Sequence, residues 1–384
     1  KLYEGGGYFT ENDFKELIAD PVKKKYPHLT VERVVNGDLP KLVAAGEQVD
    51  FFATWHGAMA SYKELAVFGD ISPMAKQMNF DLTRFNDQAI KQIRDVSDKS
   101  EVYALPYAQL LSATYYNKDI FDRFGVSYPQ DGMTWDSAID LAKKLTRQDG
   151  GVSYQGLDTP GLYILYPLSP NFVDAKTDKA LQPNTDIYKQ AFEIGKLLYS
   201  IPGNEYATGR GSAQFIKQRN LAMLADENRF LLLREAAGMN WDVAQYPSHK
   251  DRPNIGLWNT MHVVIPLGTS KHKEDQMRVM EVLFSDEVQQ VLVGKTARVS
   301  TLKDPKYKQM FGKDLPELKG KRIESIFKST NAPSPAMSIY YSKASSLITA
   351  EYVNAITSKK DVNTAIRDAQ EQIDKYVLEE KSKK

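Results

Sequence analysis

Short apolar runs and helical stripes alternate along the first part of the chain. Residues 49–54 (VDFFAT) form an apolar run that is typical of a parallel strand buried on both faces. A short helical pattern with Leu39, Leu42 and Val43 precedes this run and ends at Gly46. Strands and helices that alternate in this way predict βαβ units and a mostly parallel sheet, and therefore an α/β fold.

The segment from residue 104 to residue 145 has the clearest pattern. An aromatic-rich apolar run over 110–116 predicts a strand, and the polar residues 117–119 end it. Thr134 is a favourable N-cap for the helix that follows. The residues spaced as one face of that helix are apolar, which predicts a surface helix packed on a core: Ala138, Leu141, Ala142 and Leu145.

The rest of the chain continues this alternation. Residues 150–186 are irregular and rich in Gly, Pro and Tyr, whereas 221–225 and 255–265 read as strands. A final helix is predicted from an apolar stripe that includes Val362, Ile366 and Ile373. The length of 384 residues exceeds what one hydrophobic core usually serves, so two domains are expected.

Composition removes several function classes. The formal net charge is +1, which gives no electrostatic support for binding nucleic acid or a membrane surface. The chain has no cysteine, which excludes thiolate catalysis, cysteine-ligated zinc, iron–sulfur clusters and disulfides. It has no apolar run of membrane-spanning length. Because the chain starts at Lys1 without a signal peptide, we expect a mature or trimmed chain, with any anchoring cysteine upstream.

Two other motifs point to weaker possibilities. Gly5, Gly6 and Gly7, near the start of the sequence, could cradle a phosphate, but a flexible loop is favoured because no G-x-G-x-x-G is present. The five histidines include no H-E-x-x-H pair, so a zinc site is not expected.

Four segments, in chain order, resemble one protein family. They are LPYAQ at 105–109 with YYNKDIF and TWD after it, QFIKQRNLAML at 214–224, NWDVAQYP at 240–247, and DVNTAIRDAQEQIDKYV at 361–377. Together they resemble the extracellular solute-binding proteins of bacterial ABC importers, and most closely the sugar-binding group that includes maltodextrin-binding protein. The segments span nearly the whole chain in the order that the family has.

The resemblance implies a two-lobed α/β fold of the type II periplasmic-binding-protein kind. Each lobe would be a mixed, mostly parallel sheet flanked by helices, with a ligand cleft between the lobes. Lobe 1 would comprise 1–109 and 258–305, and lobe 2 would comprise 110–257 and 306–384. The hinge crossings would lie near 108–111, 256–260 and 302–307.

The resemblance also implies a function. The protein would capture a carbohydrate, in particular an oligosaccharide, and deliver it to the membrane permease subunits of an ABC importer. Ligand binding would favour a closed state, because both lobes contact the ligand only there. We expect a monomer without cofactor, metal or catalytic activity, located at the extracellular face of the membrane as a lipid-anchored protein or in the periplasm.

Candidate ligand residues in the first lobe lie at strand ends and crossings. Trp55 and His56 follow the 49–54 strand directly, and ligands of α/β sheets bind beyond the carboxyl ends of strands. Tyr107 and Gln109 lie on the first crossing, and Arg298 lies near the third. An arginine there suggests an acidic sugar, because guanidinium pairs bidentately with carboxylates, although a surface arginine is the alternative.

Five further candidates belong to the second lobe or its crossings. Trp258 lies at a strand end, where an indole plane could stack on the apolar face of a pyranose or simply pack in the core. Asp226 and Glu227 end the 221–225 strand and could accept sugar hydroxyls, although both would equally suit a helix N-terminus. Tyr163 in the irregular loop and Tyr340 before a C-terminal helix complete the set.

Two rival functions stay open at this point. A glycoside hydrolase would need two carboxylates about 5–10 Å apart across a cleft. Asp226 and Glu227 do not supply that pair, because neighbouring residues on a strand point to opposite faces. A binding protein of the same fold could instead carry a polyamine, iron or a phosphorylated compound, for which a carboxylate cage or a Tyr/His cluster would be the sign.

Overall fold

The structure is a computed structural model that describes residues 1–181, 185–209 and 211–383. The chain divides into two compact units, each assembled from two separate segments. Unit 1 comprises Lys1–Leu110 and Thr260–Pro316, and unit 2 comprises Leu111–Asn259 and Glu317–Lys384. Each unit has a hydrophobic core of its own.

The strands and helices alternate along the chain as the apolar pattern predicts. The strands are β1 (Leu2–Glu4), β2 (Arg33–Val34), β3 (Phe51–Trp55), β4 (Leu105–Gln109), β5 (Ser112–Asn117), β6 (Arg147–Asp149), β7 (Val152–Asp158), β8 (Leu221–Glu227), β9 (Trp241–Ala244), β10 (Ile255–Trp258), β11 (Met261–Pro266) and β12 (Thr330–Ala332). The α-helices are α1 (Glu11–Phe14), α2 (Asp20–Lys25), α3 (Leu39–Ala44), α4 (Ser72–Gln77), α5 (Asp87–Arg94), α6 (Lys118–Phe124), α7 (Trp135–Leu145), α8 (Asp186–Tyr199), α9 (Gly211–Ala213), α10 (Lys273–Leu283), α11 (Asp286–Lys295), α12 (Lys306–Gln309), α13 (Tyr341–Ile356) and α14 (Val362–Ser382). The 3₁₀ and π-helical segments are Lys15–Ala19, His56–Leu65, Leu82–Arg84, Tyr166–Leu168, Gln214–Gln218, Leu232–Glu235, Pro316–Leu318 and Ile323–Lys328.

Unit 1 is built on a five-stranded sheet of order β2-β1-β3-β11-β4. β1 pairs in parallel with both β2 and β3. β11 pairs antiparallel with β3 on one side and with β4 on the other, so β4 runs parallel to β1 and β3. The prediction of a mixed, mostly parallel sheet is confirmed in this unit, with the carboxyl ends of β1, β3 and β4 at one edge.

Unit 2 contains a second five-stranded sheet, of order β6-β7-β8-β5-β9, and a two-stranded sheet of β10 and β12. The larger sheet is mixed, as expected, with β7, β8 and β9 running in one direction and β5 and β6 in the other. β7 and β8 pair in parallel, and β6 pairs antiparallel with β7. β5 runs antiparallel to both of its neighbours, β8 and β9. The carboxyl ends of β7, β8 and β9 therefore lie at the edge where β5 begins.

The boundaries of the units can be set beside the expected crossings. The first two boundaries, after Leu110 and Asn259, fall within the expected ranges, and the predicted strand at 255–265 is split into β10 in unit 2 and β11 in unit 1. The third boundary, after Pro316, lies later than the expected 302–307. Tyr307 holds this stretch on unit 1, since it packs in that core and donates its hydroxyl to Asp286 Oδ1 at 2.7 Å.

Local sequence signals explain where individual helices begin. Thr134 caps α7 as predicted, with its Oγ1 accepting the Ser137 N–H at 3.3 Å. The predicted stripe of α7 packs on the core of unit 2. Within the described residues, no helix combines the length and the apolar character that crossing a membrane requires.

Candidate functional site

The edge of the unit 1 sheet brings several predicted residues together. Three strands that run in the same direction, β1, β3 and β4, end at this edge. Trp55 is the last residue of β3, Gln109 is the last residue of β4, and a loop begins after Glu4 at the end of β1. Gln109 is half-buried, and its main chain exchanges hydrogen bonds with Val299 at 2.8 and 3.3 Å. Such an edge is where α/β sheets bind ligands.

Trp55 is half-buried at the end of β3, and a glycine determines how its ring lies. The indole meets the His56 ring edge-on, with the ring centroids 5.5 Å apart. A Cβ atom at Gly57 would lie 2.1 Å from the indole, closer than any side chain allows. The orientation of Trp55 therefore depends on glycine at position 57.

His56 is an interior residue in the structure. Its side chain is buried, and its Nδ1 accepts the Met261 N–H at 3.2 Å. The neutral ring therefore carries its proton on Nε2. Burial lowers the pKa of His56 to about 4, with the Met261 hydrogen bond opposing the shift.

Tyr107 and Arg298 also lie inside unit 1. The Tyr107 ring stacks on Phe9 at 4.6 Å, and its hydroxyl donates to the Tyr8 carbonyl oxygen at 2.9 Å. Arg298 donates from Nη1 to Asp13 Oδ2 at 2.9 Å, and both side chains of this ion pair are less than a tenth exposed. Because the guanidinium is bonded to an internal carboxylate, the geometry gives no support to the suggestion that Arg298 selects an acidic sugar.

In unit 2, the two adjacent carboxylates at the end of β8 have different surroundings. Asp226 is fully buried, and Arg229 contacts it with both Nε and Nη2, at 2.6 and 3.1 Å. The Glu227 N–H also donates to Asp226 Oδ1, at 2.7 Å. Burial raises the pKa of Asp226, and the Arg229 charge opposes that shift. Asp226 is thus the internal partner of an ion pair.

Glu227 is half-buried and points to a different partner, as the alternation along a strand requires. The Tyr163 hydroxyl donates to Glu227 Oε2 at 2.8 Å. Burial, together with the nearby Glu227 and Asp226 carboxylates, raises the pKa of Tyr163 well above its usual range. Tyr163 therefore stays protonated and acts as a hydrogen-bond donor at neutral pH.

An aromatic cluster lies next to Tyr163 in unit 2. Trp258 stacks on Tyr166 with centroids 4.1 Å apart and planes 10° apart, and Phe172 stacks on Tyr341 at 5.4 Å and 14°. The ring centroids of Tyr163 and Tyr166 are 5.4 Å apart, and those of Trp258 and Tyr341 are 6.3 Å apart. We call Tyr163, Tyr166, Phe172, Trp258 and Tyr341 the aromatic cluster. Its three tyrosines are half-buried, whereas Phe172 and Trp258 are buried beneath them.

Tyr340 and Tyr341 are neighbours in the sequence, and the sequence does not show which of the two side chains points to the cluster. Tyr340 is buried and meets Tyr376 edge-on at 6.0 Å, away from the cluster, whereas its neighbour Tyr341 joins the cluster. Tyr166 also belongs to the cluster and lies outside the candidates that the sequence predicts. The sequence does show that tyrosines are concentrated at positions 163, 166, 340 and 341. The direction of each side chain decides which of these tyrosines joins the aromatic cluster.

The chemistry of the unit 2 edge is that of a binding surface. Aromatic planes bind the apolar faces of ligands, and the Glu227 carboxylate can accept hydrogen bonds from hydroxyl or ammonium groups. Asp226 is bonded to Arg229 and Glu227 to Tyr163, so these two carboxylates do not form an acid/base pair. No group of three or more His, Cys, Asp or Glu residues in the described part of the chain is arranged to hold a metal ion.

Comparison of the sequence with known proteins finds one family and several relatives. The family described as "Bacterial extracellular solute-binding protein" matches residues 8–290 of this chain. The mannitol-binding protein of Pseudomonas aeruginosa is 38% identical over 66 residues, which cover 17% of this chain and 15% of that relative.

Solved structures share the fold over nearly the whole chain. An ABC substrate-binding protein of Listeria monocytogenes in complex with cycloalternan has a TM-score of 0.80 at 16% identity, covering 98% of this chain and 97% of the other. A solute-binding protein of an ABC transporter of Thermotoga lettingae bound to α-D-tagatose has a TM-score of 0.76 at 19% identity, covering 98% of both chains.

Proposed function

We propose, from the premise that this chain belongs to the family of bacterial extracellular solute-binding proteins, that it captures a carbohydrate and delivers it to the membrane permease of an ABC importer. Its fold is the α/β fold of type II periplasmic-binding proteins. The protein works outside the cytoplasm, as the family description implies, and a lipid anchor in the native form remains a prediction. We propose that it acts as a monomer.

The aromatic cluster of unit 2, with Glu227 beside it, is the observation that carries the choice of a carbohydrate. A sugar ring has an apolar C–H face and a rim of hydroxyls. The three half-buried tyrosines offer apolar ring surface for the face, and the Glu227 carboxylate offers a strong acceptor for the rim. The cycloalternan, tagatose and mannitol named for the similar proteins belong to the same chemical class.

Unit 1 supplies a second surface. Trp55 is half-buried at the carboxyl edge of the sheet, and Gln109 lies half-buried at the end of β4. We include both in the proposed ligand contacts, and we leave out His56, Tyr107 and Arg298 because they are buried. That a sugar engages residues of both units remains a prediction from the family resemblance, and variants made separately in each unit test it.

A thermal-shift screen tests the proposal first. The panel contains D-mannitol, D-tagatose, maltose and cycloalternan, with D-glucuronate and spermidine as charged comparisons. A ligand present at 100 times its Kd stabilises the folded state by about 2.7 kcal/mol, which raises the Tm by on the order of 5 °C for a domain of this size. A shift with a neutral sugar supports the proposal. A shift with spermidine but with no sugar would replace the carbohydrate by a polyamine.

Glu227→Gln, studied by isothermal titration calorimetry, tests the proposed site. Exchanging a charged acceptor for a neutral one should weaken sugar binding about fivefold, because hydrogen bonds to charged groups are worth roughly 1 kcal/mol more than neutral ones. Asp122→Asn is the matched control, since Asp122 also accepts a tyrosine hydroxyl, that of Tyr128 at 2.6 Å, on α6. Equal affinities in both variants would remove Glu227 from the site.

A separate assay addresses the hydrolase alternative. Cleavage of an oligosaccharide by the protein would favour that alternative.

A further inference from the structure

The loop that follows β1 is held firmly, although its glycine triplet favours a flexible loop. The Glu4 side chain is fully buried, and its Oε2 accepts the N–H groups of Tyr8 and Phe9 at 2.9 and 3.0 Å. The other Glu4 oxygen pairs with Arg33 Nε. These loop amides point to a carboxylate of the protein itself, so they are not available to cradle a phosphate.

The carbonyl side of Tyr8 is fixed as well. Its oxygen accepts the Tyr107 hydroxyl at 2.9 Å and Arg298 Nη2 at 3.2 Å. Tyr107 and Arg298 are both buried, and Arg298 is held in turn by Asp13. The main chain of Tyr8 is therefore bonded on both sides to interior groups, which leaves its side chain as the part that can meet a ligand.

The ring of Tyr8 has a defined position at the edge of the sheet. It is half-buried and meets the ring of His262, which is also half-buried, edge-on, with centroids 5.0 Å apart. A Cβ atom at Gly6 would lie 3.2 Å from the Tyr8 ring, whereas a Cβ at Gly7 would meet nothing within 4 Å. In the part of the chain that the structure describes, the Tyr8 hydroxyl has no hydrogen-bond partner.

Tyr8 also shares an edge with Trp55. β1 and β3 are neighbouring parallel strands, with Glu4 opposite Ala53, and the Gly5 N–H continues the ladder to the Ala53 carbonyl oxygen at 3.1 Å. The loop and Trp55 therefore leave the sheet side by side, about 5 Å apart at the point of departure. His262 links the two residues, because it pairs with Trp55 across the sheet and its ring meets the Tyr8 ring.

We propose that Tyr8 is a ligand contact of unit 1 that binds a sugar beside Trp55, with its ring against the apolar face and its hydroxyl toward the hydroxyl rim. Gly6 gives the ring its room. The main chain of Tyr8 is held in place because its N–H donates to Glu4 and its carbonyl oxygen accepts from Tyr107 and Arg298. This inference rests on the proposed carbohydrate-binding function, and it adds a residue that the sequence pattern did not single out.

Three single variants test the inference by calorimetry with the sugar of the panel (D-mannitol, D-tagatose, maltose or cycloalternan) that gives the largest thermal shift. Tyr8→Ala removes the ring and the hydroxyl, and we expect binding to weaken by roughly tenfold. Gly6→Ala pushes on the ring, and we expect a loss of about threefold. Gly7→Ala, one residue away in open space, is the matched control and should leave the affinity unchanged.

The outcomes separate this inference from the proposed function. Unchanged affinity in Tyr8→Ala, with sugar binding intact in the unmodified protein, would overturn the role of Tyr8 and leave the function standing. Equal losses in Gly6→Ala and Gly7→Ala would also overturn it, because the effect would then belong to the loop and not to the ring. An unmodified protein that binds no sugar of the panel would overturn the proposed function and this inference with it. Thermal unfolding of each variant confirms that the variant is folded.

Discussion

Acidification from pH 7 to pH 5 should destabilise this protein through two histidines of unit 1, one buried and one half-buried. His56 and His262 lie next to the edge of the sheet, one after β3 and the other in β11. Burial lowers the pKa of His56 to about 4. Burial, with the neighbouring charges of Arg298 and His56, lowers the pKa of His262 to about 3. Both rings therefore stay neutral in the folded protein at pH 5.

The unfolded chain behaves differently, and this sets the sign and the size of the effect. A histidine exposed to water has a pKa of about 6.5, so the unfolded state takes up protons below that pH while the folded state does not. Stability is full above pH 6.5 and falls as the pH decreases toward the folded-state pKa of about 4 or 3. Each histidine should cost about 2 kcal/mol between pH 7 and pH 5, and the pair about 4 kcal/mol.

Urea unfolding at pH 7.0 and pH 5.0, followed by circular dichroism, measures this loss. His56→Asn provides the comparison, because the asparagine side-chain oxygen can accept the Met261 N–H that His56 Nδ1 accepts, and it does not titrate. The variant should lose about half as much stability as the unmodified protein over the same pH interval. A loss below about 1 kcal/mol in the unmodified protein, or an equal loss in both proteins, would refute the reasoning.

Two further predictions concern the core of unit 2. Asp226→Asn should lower the free energy of unfolding by about 2 kcal/mol, measured by urea unfolding, because it removes the buried charge that pairs with Arg229, and it should change sugar affinity by less than about twofold. A large loss of affinity without a loss of stability would instead make Asp226 a ligand contact. Gly195→Ala on α8 should destabilise by about 2 kcal/mol despite the better helix propensity of alanine, because its Cβ would lie 2.2 Å from the Tyr352 hydroxyl. Adding Tyr352→Phe should recover part of that loss, and a Gly195→Ala variant more stable than the parent would contradict the packing argument.

The elements of the fold were predictable where local signals decide them. The VDFFAT run became β3, and the Thr134 cap with its apolar stripe became α7. Strand direction was not predictable in this way. β5 is buried along its whole length, as a central parallel strand would be, yet it runs antiparallel to both β8 and β9. Burial on both faces makes a strand apolar whichever way its neighbours run, so the pattern cannot distinguish the two arrangements.

The candidate site residues were likewise predictable only in part. Trp55 and Glu227 are half-buried at strand ends, where the rule for α/β sheets places ligand contacts. Tyr107 and Arg298 were chosen by the same rule and are interior, because their partners Tyr8 and Asp13 lie 99 and 285 residues away in the sequence. Nothing in the neighbouring sequence of a residue shows that a distant carbonyl or carboxylate will bind it.

These internal partners bear on the class of sugar that the site should accept. Arg298 is bonded to Asp13 in unit 1, and Arg229 is bonded to Asp226 in unit 2, so each guanidinium already has a carboxylate. Glu227, by contrast, lies half-buried beside the aromatic cluster with Tyr163 as a donor. A hydroxyl of a neutral sugar can donate to this carboxylate, whereas the carboxylate of a uronic acid would be repelled by it. For two ligands of the same shape, the neutral sugar should therefore bind more tightly than its uronic acid. An exposed Arg298 would have implied the reverse preference, for the uronic acid.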